Sequence, residues 1–268
     1  MAGRSNHLAI AALVAVTPML AACGGEHGAE PSGPPSTASA GRTATSPTTT
    51  VPVPPRAAPL TTGELPRGTS LVAATRVRRL AVYHAPGGGG RPFLFLPAKT
   101  EHGATATYLV KRTSGQWVLV ALARRPNGST GWIRRSDVTL LLDHYRVKID
   151  LTARRLTLLF RGKVVRTIPI GVGKALTPTP TGVYFVVELL KTADPLGPYG
   201  PYAFGLSAYS AVLTHFGAGG KGEIGLHGTN EPQLLGQNVS HGCIRVSNQD
   251  VTRLAKILPL GTPVEITR

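Results

Sequence analysis

The chain has 268 residues, with 32 Gly, 23 Pro, two Cys and a formal net charge of +16. Its length suits one or two domains, and a 42% hydrophobic share supports packed cores and excludes wholesale disorder. Two cysteines exclude a disulfide-rich mini-scaffold, a zinc ribbon and a four-thiolate iron–sulfur cluster, while the charge points to a polyanionic neighbour such as nucleic acid, anionic lipid or an acidic wall polymer.

Residues 1–22 read as an export signal. Arg4 and His7 precede an apolar stretch from Leu8 to Ala22; the stretch is short, Ala-rich and interrupted by Pro18, unlike a membrane span. It ends in Leu20-Ala21-Ala22-Cys23-Gly24, which resembles a bacterial lipobox. That resemblance implies diacylation of Cys23 and anchoring on the outer face of the plasma membrane, facing the cell wall. An ordinary signal peptide containing a chance Cys is the alternative. If Cys23 is lipidated, Cys243 is left as an unpaired thiol.

Residues 23–68 read as a tether. Gly, Pro, Ser and Thr make up more than half of this stretch and it lacks aliphatic periodicity, so it cannot bury a core.

Residues 69–142 read as a small all-β unit. Strand candidates run over Arg76–Tyr83, Thr105–Val110, Gln116–Val120 and Gly131–Ile133. The Gly87–Gly90 run forms a loop and Pro126-Asn127-Gly128 a turn. The order Trp117-Val118-Leu119-Val120, Pro126-Asn127-Gly128, Gly131-Trp132-Ile133 resembles bacterial SH3-like barrels. Trp117 and Trp132 mark either a ligand face or, more commonly, barrel core. Eleven Lys or Arg stand against Glu101 and Asp137 in residues 71–142, so much of the charge sits here.

Residues 143–268 read as a second, mostly β domain of sandwich-like type. Tyr145–Asp150, Arg155–Phe160, Val164–Ile170 and Gly182–Val187 are strand candidates joined by tight turns. The span Thr192–Gly220 is Gly/Pro/Tyr-rich and is expected to be a long loop; Tyr199, Tyr202 and Tyr209 are its candidate substrate contacts, with packing as the equal alternative. One helix is expected near the C-terminal end. Ser247 would cap it and Asp250 would complete a variant capping box, with Val251, Leu254, Ala255 and Leu258 on one face. Pro263–Ile266 would close the sheet as an edge strand. The expected fold class is therefore mainly β.

The chemistry concentrates in Ile224-Gly225-Leu226-His227-Gly228-Thr229-Asn230 and Ser240-His241-Gly242-Cys243-Ile244-Arg245-Val246. A thiol attacks only as thiolate, and a neighbouring imidazole can take its proton. His227 ends an apolar strand. His241 lies two residues from Cys243, so an extended segment would point both side chains to one side. Backbone N–H groups at Gly242 and Cys243 suit an oxyanion. A His₂Cys zinc site and a buried structural Cys are the alternatives, although no fourth zinc ligand is evident.

These two segments resemble the signature of bacterial L,D-transpeptidases with a YkuD-type catalytic domain. Ile149-Asp150-Leu151, Arg155-Leu156 and Thr177–Gly182 extend the resemblance upstream, over about residues 143–268. It implies that Cys243 attacks the bond between a diamino acid and the terminal D-Ala of a peptidoglycan tetrapeptide stem. D-Ala leaves, a thioester forms, and the amine of a neighbouring stem completes a 3→3 cross-link. It further implies that His227 is the base, its second ring nitrogen held by the carbonyl of Gly228. His241 would organise the site, and Gly242 and Cys243 would supply oxyanion donors. Ser240 and Arg245 would lie on the substrate side, Arg245 either binding a stem carboxylate or forming a local salt bridge. The resemblance implies no metal or cofactor and carbapenem β-lactams as inhibitors; no nucleic-acid partner is expected, since no such fold signature is evident and an exported protein rarely meets nucleic acid. L,D-carboxypeptidase or D-amino-acid exchange at the same site, and a non-catalytic wall-binding lipoprotein, are the other readings.

Overall fold

The computed structural model describes residues 65–87, 90–215 and 221–268. The export signal, Cys23 and most of the tether lie outside the described residues. The described residues are mainly β, with one α-helix.

The first sheet is antiparallel and draws on β1 (Ser70–Thr75), β4 (Thr107–Ser114), β5 (Trp117–Ala121), β6 (Thr130–Arg134) and β7 (Val138–Asp143). Their order is β6-β5-β4-β1-β7, and a hairpin of β2 (Arg79–Val82) and β3 (Leu94–Pro97) lies alongside. Alternation buries Val118 and Val120 of β5. Trp132 is 6% exposed, so it belongs to the core and not to a ligand face; Trp117 is half-buried, edge-on to Tyr83.

The second sheet has eight strands in the order β10-β9-β8-β17-β12-β13-β14-β16. They are β8 (Tyr145–Asp150), β9 (Arg155–Phe160), β10 (Lys163–Pro169), β12 (Gly182–Lys191), β13 (Tyr202–Tyr209), β14 (Glu223–His227), β16 (Ile244–Arg245) and β17 (Pro263–Thr267). Two short strands, β11 (Val172–Gly173) and β15 (Asn238–Ser240), pair in parallel beside them.

Two expectations are corrected here. The Pro263–Ile266 segment is not an edge strand: β17 lies between β8 and β12, parallel to the first and antiparallel to the second. Pro263 is tolerated because it is the strand's first residue, where a missing N–H costs least. The span 192–220 is not all loop either. It contains β13, eight residues paired on both sides. Seven of those eight are apolar or Gly, and burial there does not alternate, which hid the strand.

The helix α1 (Asn248–Ala255) forms as expected. Ser247 Oγ accepts the Asp250 N–H at 3.0 Å and donates to Asp250 Oδ2 at 2.6 Å, closing the capping box. Val251 and Leu254 then bury against the second sheet's core.

The two sheets share a boundary core. Phe185 of β12 is fully buried among first-sheet residues, edge-on to Tyr108 at 6.3 Å. Glu188 accepts from Thr100 Oγ1 at 2.7 Å and from the His102 N–H at 3.1 Å. On the opposite flank, Asn127 exchanges two bonds with the backbone of Tyr209, at 2.8 and 2.9 Å. Arg125 donates to the carbonyls of Ser210 and Leu213 at 2.6 and 2.9 Å. Those contacts fix the end of β13, one connection ahead of the strand that carries His227.

Candidate active site

His227 ends β14 and Cys243 immediately precedes β16, and the two strands run parallel and hydrogen-bonded, with Leu226 opposite Ile244 and His227 opposite Arg245. Parallel pairing of strand ends puts the imidazole and the thiol at one end of the sheet. Leu226 and Ile244 are fully buried and lock this register.

His227 is 4% exposed. Its Nδ1 lies 2.7 Å from the carbonyl oxygen of Gly228. A carbonyl only accepts, so Nδ1 carries the proton and Nε2 keeps its lone pair free. Burial pushes the imidazole down to about 4, against the Gly228 bond, which raises it, and with the Arg245 charge, which lowers it further. The ring is therefore neutral at neutral pH, as a base must be.

Cys243 is half-buried. Burial pushes its thiol up, partly offset by the Gly225 N–H and the Arg245 charge. Gly225 N–H donates to Cys243 Sγ at 3.3 Å. A Cβ placed on Gly225 would lie 3.6 Å from His227 Cδ2 and 3.7 Å from Cys243 Sγ. The ring edge and the sulfur thus converge on one glycine, with a neutral base beside a neutral thiol.

The loop before Cys243 is pinned by hydroxyls. Ser240 Oγ donates to the Cys243 carbonyl at 2.5 Å and accepts the Gly242 N–H at 3.0 Å. Thr179 Oγ1 donates to the Gly242 carbonyl at 2.8 Å and accepts the Gly173 N–H at 3.0 Å. Thr177 Oγ1 reaches the Ser240 carbonyl at 3.3 Å. The Thr177–Gly182 turn is thereby the strut of the thiol loop.

Three site expectations need correction. The Gly242 N–H is already engaged by Ser240 Oγ, so it is not a free oxyanion donor in this state; Ser240 fills it because its side chain folds back over the turn. His241 is exposed and does not share a side with Cys243 through an extended segment. Gly242 between them has φ of +124°, a left-handed turn that breaks the strand alternation. Tyr202 packs half-buried against the core and uses its carbonyl, not its ring, to accept the Gly228 N–H at 3.3 Å. Tyr209 likewise serves packing, its hydroxyl donating to the Ala123 carbonyl at 3.0 Å.

Tyr199 does reach the site. Its ring lies 4.8 Å from the His227 ring, tilted by 57°, and is 53% exposed, so it forms a wall open to a ligand. Arg245 forms an ion pair with Glu231 at 2.8 Å, while its Nε is buried without a partner.

Asn248 was missed by sequence reasoning. Its Oδ1 accepts the Thr229 N–H at 2.8 Å and packs against Gly228 and Gly200, where a Cβ would come within 2.3 and 2.1 Å of it. It ties α1 to the loop whose carbonyl orients His227. Among the described residues no three His, Cys, Asp or Glu side chains converge as a metal-ligand set.

Comparison with known proteins follows the same residues. Residues 144–266 match the family described as the L,D-transpeptidase catalytic domain, YkuD. A Bacillus subtilis protein named as an L,D-transpeptidase, YkuD, is 41% identical over 124 residues, 46% of this chain and 66% of that protein. A second B. subtilis protein so named, YqjB, is 30% identical over 132 residues, 45% of this chain and 70% of that protein. The chain spans about two thirds of the length of these relatives. The solved structure of the LD transpeptidase LdtMt1 in complex with imipenem is 16% identical, with a TM-score of 0.39, covering 60% of this chain and 90% of that one.

Proposed function

The chain belongs to the L,D-transpeptidase family, carrying its YkuD-type catalytic domain, and from that premise we propose that it cross-links peptidoglycan stems through a thioester on Cys243. His227 Nε2 takes the thiol proton as Sγ attacks the carbonyl that joins a diamino acid to the terminal D-Ala of a tetrapeptide stem. The tetrahedral oxyanion collapses, the C–N bond breaks, and His227 returns the proton to the departing D-Ala amine. The amine of a second stem then attacks the thioester, losing a proton to His227 while the thiol is regenerated. The product is a 3→3 cross-link.

The observation that carries this reading is the convergence of the His227 ring edge and the Cys243 sulfur on Gly225, with the imidazole held in one tautomer by Gly228. Because Gly242 N–H is engaged by Ser240, the oxyanion falls first to the Cys243 N–H, and a shift of Ser240 Oγ on substrate binding would free the second donor. Tyr199 would wall the donor stem. Arg245, held by Glu231, would act through its charge on both reacting groups.

Anchoring through Cys23 on the outer face of the plasma membrane, and an SH3-like role for residues 69–142, belong to the same proposal. The motif Leu20–Gly24 and the short-strand pattern support them.

The test is mass spectrometry of the full chain after incubation with a carbapenem and, separately, with a tetrapeptide donor and a diamino acceptor. The expected results are a covalent adduct on Cys243, absent in Cys243→Ala, and a cross-linked dimer with release of D-Ala. Tripeptide alone would convert the reading to carboxypeptidase. A folded wild type that neither acylates nor turns over would remove it.

A further inference from the structure

We propose that a groove between the two sheets, remote from the thiol, binds an anionic wall polymer with phosphodiester links. The groove follows from strand lengths. β4 pairs with β1 only from Thr107 to Leu109, while β1 continues along β7 to Ser70 opposite Asp143. The outer half of β4, residues 111–114, runs on without β1 and is exposed. Its register against β5 slips between Val110 and Arg112. The gap left behind measures about 440 Å³, within the range of small-ligand sites. It is open to solvent on one side, as a polymer requires.

Its lining is amphipathic. Leu71, Val110 and Val183 give an apolar floor, and Lys111, Arg112 and Arg146 stand at the rim with the hydroxyl residues Ser70 and Thr113. Arg146 reaches across the junction, donating to Ser70 Oγ at 3.3 Å. The carboxylates facing this cluster are Glu265, 3.9 Å from Arg146 and 4.0 Å from Lys148, and Asp143, whose buried carboxyl feels Arg146. Glu265 therefore divides one charge between two cations. Among the described residues Lys111 and Arg112 have no carboxylate partner; the Arg112 guanidinium instead lies over the Trp132 ring at 5.1 Å, which steers it without neutralising it.

Several cations at the rim of an apolar trough match a chain that alternates charged links with short carbon units. A planar guanidinium fork and a lysine point charge both suit phosphate oxygens, and the hydroxyls add neutral donors. A bilayer fits less well, since a lipid surface needs a protruding face and these cations ring a recess. From the second sheet the groove takes only Arg146 of β8, Val183 of β12 and Pro263 of β17. β12 stands three strand spacings from β16, about 14 Å across the sheet, so occupancy of the groove leaves the cleft free. The site would hold the enzyme against the wall while the stem peptide is processed. It does not depend on the catalytic proposal, because it concerns binding alone.

The experiment titrates poly(glycerol phosphate) into the folded full-length protein at low and at physiological salt, with tryptophan fluorescence and calorimetry as readouts. The comparison proteins are the double variant Lys111→Gln/Arg112→Gln and the single variant Arg146→Gln, each first matched to wild type by thermal melting. The expected result is saturable binding that weakens with salt and falls at least tenfold in the double variant, with carbapenem acylation of Cys243 unchanged. Equal affinity of the wild type and the double variant overturns the proposal. So does capture by phosphatidylglycerol vesicles with no response to the polymer. Should Arg146→Gln melt early, the double variant, whose residues are solvent-exposed, still decides the matter.

Discussion

The backbone N–H of Gly225 donates to Sγ of Cys243 at 3.3 Å, so the strand that carries the proposed base also holds the proposed nucleophile. A Cβ added at Gly225 meets only ordinary contacts, at 3.6 Å or more, and lands between ring and sulfur. Gly225→Ala should therefore keep its melting temperature within a few degrees while slowing acylation of Cys243 tenfold or more. Paired thermal melts and acylation time courses check this; equal slowing of folding and chemistry would mean the residue matters only to the strand.

The two reacting groups titrate apart in an informative sense. Burial lowers His227 to about 4 and raises the Cys243 thiol, so the resting pair is neutral thiol and neutral imidazole. Acylation should hold steady down to about pH 5 and fall as His227 protonates near 4. Alkylation of the free thiol by iodoacetamide should instead keep rising with pH beyond the ordinary thiol range. An alkylation rate that levels off by pH 6 would indicate a preformed thiolate–imidazolium pair.

Asp143 provides a stability test away from the site. It is 1% exposed, its Oδ1 accepts the Tyr145 N–H at 2.8 Å, and its Oδ2 has no partner. Burial pushes it up to about 6, against the hydrogen bond from Tyr145 and the Arg146 charge. The folded protein thus binds a proton that the unfolded chain releases nearer 4. Its stabilising effect is complete below that value and is lost as pH rises through 6, a difference worth up to about 3 kcal/mol. Asp143→Asn should raise Tm by up to about 6–12 °C at pH 8 and leave it unchanged near pH 4. Melting curves at the two pH values decide it.

How much of this was legible follows from what each residue needs around it. The Ser247–Asp250 cap was readable because its partners are three residues apart, whereas the His227–Gly228 pairing came only with the family resemblance. Strands such as Tyr145–Asp150 were readable from alternation. β13 was not, because it is paired on both sides and carries a run of buried residues. The central place of β17 was not, because its partners Val147 and Tyr184 are far away in sequence. Asn248 looks like an ordinary first-turn helix residue until tertiary contact brings Thr229 to it. The His241 expectation failed on the backbone of one residue, Gly242, whose presence marked a turn.

The shared core between the sheets predicts that they do not separate cleanly. A fragment of residues 143–268 would expose Phe185 and strip Glu188 and Tyr209 of their partners in the first sheet. It should melt well below the whole protein. Within the whole protein, Phe185→Ala should cost about 3–5 kcal/mol, read by denaturant unfolding. A fragment as stable as the intact chain would show that the boundary contacts contribute little.

The position of β17 also bears on assembly. The second sheet stays split into β10-β9-β8 and β12-β13-β14-β16 until residues 263–267 arrive to join the halves. Such long-range parallel closure is slow. The half with His227 and Cys243 therefore waits on a strand synthesised after both. A chain emerging from a ribosome would leave this half unlocked until residues 263–267 had emerged.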